Sequence, residues 1–275
     1  MRILDTHLHL IYPDRFSYPW IGPGHPLNRE WSHESYFAEA VGLGIESALH
    51  MEVDAAEADM EAETAFVLEL PRIAGAIAAC RPERAGFVAH MERLSAEPRV
   101  KGVRRILHEV PDELSEQPIF AENLRRLTDY DLSFDLCLRA DQLRPIGLRL
   151  VDAAPDVQFI LDHCGNPDIA KDGLEPWRAD TAALAERPNV AVKISGIATN
   201  ARPGWQPHDL RPYVEHLIHV FGWDRVVWGS DHPVLTRNGS LTRWVQATRE
   251  IVGSARADEQ ARLFRRNAER IYRVG

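Results

Sequence analysis

The reading of the fold turns on the first residues of the chain, Met1-Arg2-Ile3-Leu4-Asp5-Thr6-His7-Leu8-His9. A short apolar run, Arg2–Asp5, leads into a polar cluster with two histidines two positions apart. Runs of similar length recur at Glu46–Glu52, Ile73–Ala79, Val100–Ile106, Ser133–Leu138, Gln158–Asp162, Ala191–Ser195 and Arg225–Gly229. They are rich in Val, Ile, Leu and Phe without strict alternation, which suits parallel strands covered on both faces. Helix-length segments separate them: Ser35–Leu43, Ala56–Leu70, Arg84–Ala96, Ile119–Tyr130, Gln142–Ala154, Trp177–Glu186, Asp209–Phe221 and Asp258–Arg273. Asp209 precedes a stripe of Leu210, Tyr213, Leu217, Val220 and Phe221, and Gly222 follows it as a helix-stopping glycine.

This repeated alternation predicts an α/β fold, a (β/α)8 TIM barrel. A doubly wound sheet shares the alternation, but no GxGxxG turn follows an early strand. The chain shows no repeat, low-complexity tract or linker, so residues 1–275 are expected to form one domain. The Pro- and Gly-rich stretch Tyr12–Asn28 directly after the first run predicts an ordered loop over the barrel mouth.

Composition narrows the function. Hydrophobic residues make up 45% and charged residues 27%, a soluble globular balance. The 32 basic against 41 acidic side chains give a net charge of −9, with no basic run, which argues against nucleic acid or an anionic membrane as partner. No apolar run is long enough to span a bilayer. Cys80, Cys137 and Cys164 are widely spaced and without a CxxC pair, as expected of reduced thiols rather than a disulfide framework. With no signal-peptide pattern at the N-terminus, a cytoplasmic location is expected.

Three strand ends carry chemistry. His7 and His9 at spacing two aim both imidazoles to one side, as two ligands of one metal ion require. Ile160-Leu161-Asp162-His163 ends in a histidine before Cys164-Gly165-Asn166-Pro167, and Val226-Val227-Trp228-Gly229-Ser230-Asp231 ends in a carboxylate. In a barrel these ends share the rim where active sites sit. A lone strand-end aspartate is commonly a helix N-cap; three such ends together are less easily explained that way.

With these motifs, the chain resembles the amidohydrolase superfamily, in its branch of sugar-lactone hydrolases that includes fuconolactonase and 2-pyrone-4,6-dicarboxylate lactonase. The resemblance extends through Tyr18-Pro19-Trp20-Ile21-Gly22, Lys101-Gly102-Val103-Arg104, Phe134-Asp135-Leu136, Val192-Lys193-Ile194-Ser195-Gly196 and Asn267-Ala268-Glu269-Arg270. It implies a distorted TIM barrel with a divalent ion, zinc by preference or none at all, on His7, His9 and Asp231. Asp231 would activate a water, with His163 and Arg104 as further catalytic groups. His50, Glu52, Arg139, Trp20 and Trp31 are the candidates for binding a small-molecule lactone, Glu52 by repelling dicarboxylates. A homo-oligomer is compatible with all of this.

Metal-rich members present a lysine or glutamate on the fourth strand and a histidine on the fifth. Here those strands read Gly102-Val103-Arg104-Arg105-Ile106 and Phe134-Asp135-Leu136-Cys137-Leu138, so a single, weakly held ion is expected, released as pH falls through the histidine range near 6.5. Two rival readings remain: a metal-dependent decarboxylase of an aromatic or muconate-type acid, and a non-catalytic ligand-binding barrel.

Overall fold

The computed structural model describes residues 1–171 and 173–275. Eight parallel strands neighbour one another in chain order: β1 (Ile3–Leu8), β2 (Ile45–Met51), β3 (Ile73–Ala79), β4 (Val100–Ile106), β5 (Ser133–Cys137), β6 (Phe159–Leu161), β7 (Val190–Ile194) and β8 (Val226–Trp228). The helices between and after them are α1 (His33–Glu39), α2 (Met60–Leu68), α3 (Phe87–Ser95), α4 (Pro118–Arg125), α5 (Arg149–Ala153), α6 (Trp177–Ala185), α7 (Pro207–Phe221), α8 (Leu241–Ile251), α9 (Ala257–Ala261) and α10 (Asn267–Ile271). This is the expected (β/α)8 barrel.

Element boundaries moved for identifiable reasons. β1 runs on to Leu8, past the expected end at Asp5, because Asp5, Thr6 and His7 are buried in the barrel rather than solvated beyond it. α7 begins at Pro207: the Asp209 carboxylate accepts the Gln206 backbone N–H at 2.7 Å, so Asp209 lies inside the first turn instead of preceding it. The segment around Pro145 opens with a π-helical turn, Leu143–Leu148, since proline has no N–H to donate. The last segment is likewise divided by a π turn, Arg262–Arg266.

Helix α8 was not anticipated. Its signal is in the sequence: Ser240 Oγ caps the Arg243 N–H at 3.2 Å, and Leu241, Trp244, Val245, Thr248 and Ile251 form one buried stripe.

Two layers of core result. The main one lies between strands and helices, and the smaller one fills the barrel with Leu4, Leu49, Met51, Ile77, Ile160 and Val227, closed by Ile271 and Tyr272 from the C-terminal segment. Cys80, Cys137 and Cys164 are free and buried. Among the described residues no helix is long and apolar enough to cross a membrane.

The seam between β8 and β1 is made differently from the other seven. Thr6 Oγ1 donates to the Trp228 carbonyl at 2.9 Å, and Asp231 N–H and His9 N–H donate to the carbonyls of His7 and His232, each at 2.8 Å. The barrel is thus stitched shut beyond the end of β8, at its C-terminal rim.

Leu217 is fully buried on α7 against the barrel. Replacing it with alanine should lower stability by about 2–5 kcal/mol. Urea denaturation should show an earlier midpoint with an unchanged slope.

Candidate active site

Asp5 organises the seam. Its Oδ1 accepts the backbone N–H groups of His7 at 3.0 Å and Ser230 at 2.8 Å. Its Oδ2 accepts the Tyr36 hydroxyl of α1. One carboxylate therefore fixes the strand end that carries His7 and the one that leads into Asp231.

The two histidines and Asp231 converge. His7 Nε2 lies 3.2 Å from His9 Nε2, and Asp231 Oδ1 lies 3.8 and 3.5 Å from those two nitrogens. Three nitrogen and oxygen donors at these separations match the edges of a tetrahedron about a zinc ion with bonds of about 2.0–2.2 Å, leaving a fourth position open. The outer contacts match as well: His9 Nδ1 is 3.0 Å from the Met51 carbonyl, which can only accept, so His9 carries its proton there and keeps Nε2 free. The residues fit a single divalent ion.

Burial sets the charge states. It drives His7 well below its ordinary range and His9 down to about 3, so both imidazoles favour the neutral form that a metal ion would require. Burial has the opposite effect on Asp231, raising it to about 6 against the pull of His163 and Arg104. Asp231 and His163 both adopt left-handed backbone, φ 60° and 53°, a conformation non-glycine residues hold only where the surroundings impose it.

Beneath this group lies a buried ion network that sequence reasoning did not assemble. Lys193 Nζ is 2.6 Å from Asp135 Oδ2, 2.9 Å from Asp162 Oδ1 and 3.2 Å from His7 Nδ1. The Tyr272 hydroxyl donates to Asp135 at 2.9 Å. Burial alone would raise Asp162, but above all the Lys193 ammonium holds it well below the carboxylate range. A second ligand-like cluster, His7, Asp162 and His163, is therefore served already: a protein ammonium lies against its His7 and Asp162.

A cavity of about 940 Å3 opens above, reached by His9, Arg104, His163 and Asp231 from below and by Trp20 and Arg139 from the rim. Arg104 is bound through Nε to Glu52 at 2.6 Å and through Nη2 to the Glu52 carbonyl at 2.8 Å. Nη1 makes only long contacts, 3.4 Å to His7 Nε2 and 3.5 Å to Asp162.

Three candidates for substrate contact are placed elsewhere. Glu52 is buried and neutralised by Arg104, so it does not present a free charge to repel a dicarboxylate. His50 is buried 3.9 Å from Glu63, outside the cavity lining. Trp31 packs edge-on against the His232 ring beneath the Arg29 guanidinium. Arg139 does line the cavity, though Asp112 and Asp141 hold it at 3.1 Å each. Trp20 also lines it, 42% exposed, its indole N–H fixed to the Val53 carbonyl at 2.7 Å. His232 meets Glu39 at 3.5 Å and packs edge-on against Trp31 and tilted against Tyr36.

The comparisons with known proteins agree with this architecture. The amidohydrolase family model matches residues 4–274. An L-fucono-1,5-lactonase of Burkholderia multivorans is 30% identical, with 98% of this chain and 95% of that protein covered. Another L-fucono-1,5-lactonase, from Burkholderia ambifaria, is 30% identical over 68% of this chain and 66% of its own length. A crystal structure of an amidohydrolase from Burkholderia multivorans with bound zinc superposes at a TM-score of 0.89, with 25% identity and full coverage of both chains.

Two outcomes follow from the geometry. A Cβ at Gly196 would lie 2.4 Å from His163 Nδ1, on backbone at φ 64°. Gly196→Ala should therefore displace His163 and lower kcat at least about tenfold, the scale of a lost positioned group, in a protein whose circular dichroism is unchanged. Metal analysis of protein purified without chelator should find at most one ion per chain, because Lys193 lies where a second would sit.

Proposed function

The chain belongs to the amidohydrolase family, and on that premise we propose that it is a hydrolase opening the ester ring of a sugar-acid lactone with a water activated by Asp231. One observation carries the reading. Asp231 is a buried carboxylate raised to about 6, on the floor of a large cavity, with His9, His163 and Arg104 beside it. A base near neutrality combines a usable ionised fraction with real proton affinity.

The chain's own groups then divide the work. Asp231 takes the proton of a water held against its carboxylate, and the resulting hydroxide attacks the lactone carbonyl. The cationic Nη1 of Arg104, the part of the guanidinium not committed to Glu52, and the His163 ring face the oxygen on which charge develops. His163 Nδ1 is 3.2 Å from Ser195 Oγ, which keeps the ring in place. When the ring opens, Asp231 returns its proton to the leaving alkoxide. A divalent ion on His7, His9 and Asp231 would supply Lewis acidity toward the carbonyl and water.

The cavity suits a hydroxylated ring. Trp20 offers a fixed indole face, and Asn166, Thr199 and Asn200 line the wall with donors and acceptors. The lactonase relatives support the same substrate class.

A pH-indicator assay across a panel of aldonolactones tests the proposal. Asp231→Asn should keep the fold and lose about 10²–10⁴-fold in kcat, the usual contribution of a general base. Near-wild-type kcat in that variant would remove Asp231 from the mechanism, and no turnover of any lactone would remove the substrate class.

A further inference from the structure

The His7 ring is contested at both nitrogens. A neutral imidazole has one N–H and one lone pair, and a ring with an ammonium at one nitrogen and a guanidinium at the other is kept neutral. At Nδ1, Lys193 Nζ lies 3.2 Å away as a donor and Asp162 Oδ1 3.4 Å away as an acceptor. At Nε2, His9 Nε2 lies 3.2 Å away and Arg104 Nη1 3.4 Å away. His9 is an acceptor toward His7, because its own proton is directed to the Met51 carbonyl.

Only two arrangements are self-consistent. In one, Lys193 donates to Nδ1, and His7 Nε2–H donates to His9. In the other, Nδ1–H donates to Asp162, and Nε2 accepts from Arg104. The first uses both 3.2 Å contacts, one of them charge-assisted, and its conflicts, Nε2–H beside Arg104 Nη1 and the Nδ1 lone pair beside Asp162 Oδ1, fall on the longer 3.4 Å contacts. The second leaves two lone pairs facing each other at 3.2 Å and sets an N–H against the Lys193 ammonium.

We propose that Lys193 is a positioning residue that holds His7 as the Nε2–H tautomer in the metal-free protein, so that occupation of the His7–His9–Asp231 site requires the ring proton to pass to Nδ1 and the hydrogen bond from Lys193 to be given up. No net proton is gained or lost by the ring; Asp162 accepts the relocated N–H. The network beneath the site thereby tunes metal affinity without touching the ion. The inference rests on reading His7 and His9 as a cation site, but not on the lactone.

Long-range nitrogen–proton correlation spectra of the metal-free protein, with histidine labelled and His7 assigned by its loss in His7→Gln, read the tautomer directly. The expected spectrum has His7 protonated on Nε2, moving to Nδ1 on zinc titration. A ring protonated mainly on Nδ1, or on both nitrogens, in the metal-free wild type overturns the proposal.

Lys193→Met is the complementary variant. Its metal-free His7 should carry the proton on Nδ1, and zinc affinity, measured by competition with a chromogenic chelator, should rise at least about tenfold, the size of one charge-assisted hydrogen bond no longer opposing the ion. An unchanged tautomer in the folded variant counts against the proposal even if affinity rises, because removing a nearby positive charge alone would do that. If that variant does not fold, the wild-type spectrum decides. Zinc failing to bind the wild type at all would instead refute the cation-site reading, with lactone turnover measured separately.

Discussion

The β8–β1 seam depends on the Asp5 carboxylate. Seven of the eight strand contacts are ordinary parallel ladders, but here the two chain ends of the barrel meet beyond the last regular pair. Asp5 satisfies two backbone N–H groups from opposite sides of that gap and takes the Tyr36 hydroxyl on its other oxygen. A buried carboxylate without such partners would be strongly destabilising, and with them it becomes a fixed point. The amides that it holds are that of His7 itself and that of Ser230, one residue before Asp231. The convergence of His7 and Asp231 is thus a consequence of how the barrel closes. The same crowding explains Gly229, where a Cβ would come within 2.7 Å of His7 Cβ.

The second condition is charge balance inside the barrel. Lys193 and Arg104 bring two permanent cations to the same depth as Asp135, Asp162 and Glu52. Each cation has a carboxylate partner at 2.6 Å, and Tyr272 adds a donor to Asp135. Such pairs seldom add net stability over apolar packing. What they provide is orientation: Arg104 is locked by Glu52 with one amino group turned to the cavity, and His7 is held between Lys193 and Asp162. The apolar floor of Leu4, Ile160 and Val227 keeps water from loosening them.

Much of this was legible in the sequence because it rests on local pattern. Continuous apolar runs located every strand to within a few residues, and the three strand-end motifs named His7, His9, His163 and Asp231. What escaped was the pairing of residues distant in sequence. Asp135 and Lys193 each stand inside an apolar strand, Phe134-Asp135-Leu136 and Val192-Lys193-Ile194, and a charge in such a run must find a partner. That signal predicts a pair but not which pair, since 58 positions separate them. Glu52 illustrates the cost: the sequence offered it as a free charge beside the substrate, but only the fold revealed that Arg104 already neutralises it. Trp31 failed for another reason, as a loop aromatic can face the cavity or pack behind it, and here it bridges to Ile11 and packs edge-on against His232.

The division of labour between Asp162 and Asp231 follows from the same geometry. Both are buried aspartates near His7, and burial alone would raise both. Asp162 has the Lys193 ammonium at 2.9 Å and so remains a permanent anion that orients the ring. Among the described residues Asp231 has no side-chain cation so close; the His9 and His7 imidazoles lie 3.5 and 3.8 Å from it. It is left near neutrality, facing the cavity. Two carboxylates of one strand-end rim are thereby driven in opposite directions, one held as a charge and the other raised to about 6, because environment rather than residue type sets acid–base behaviour.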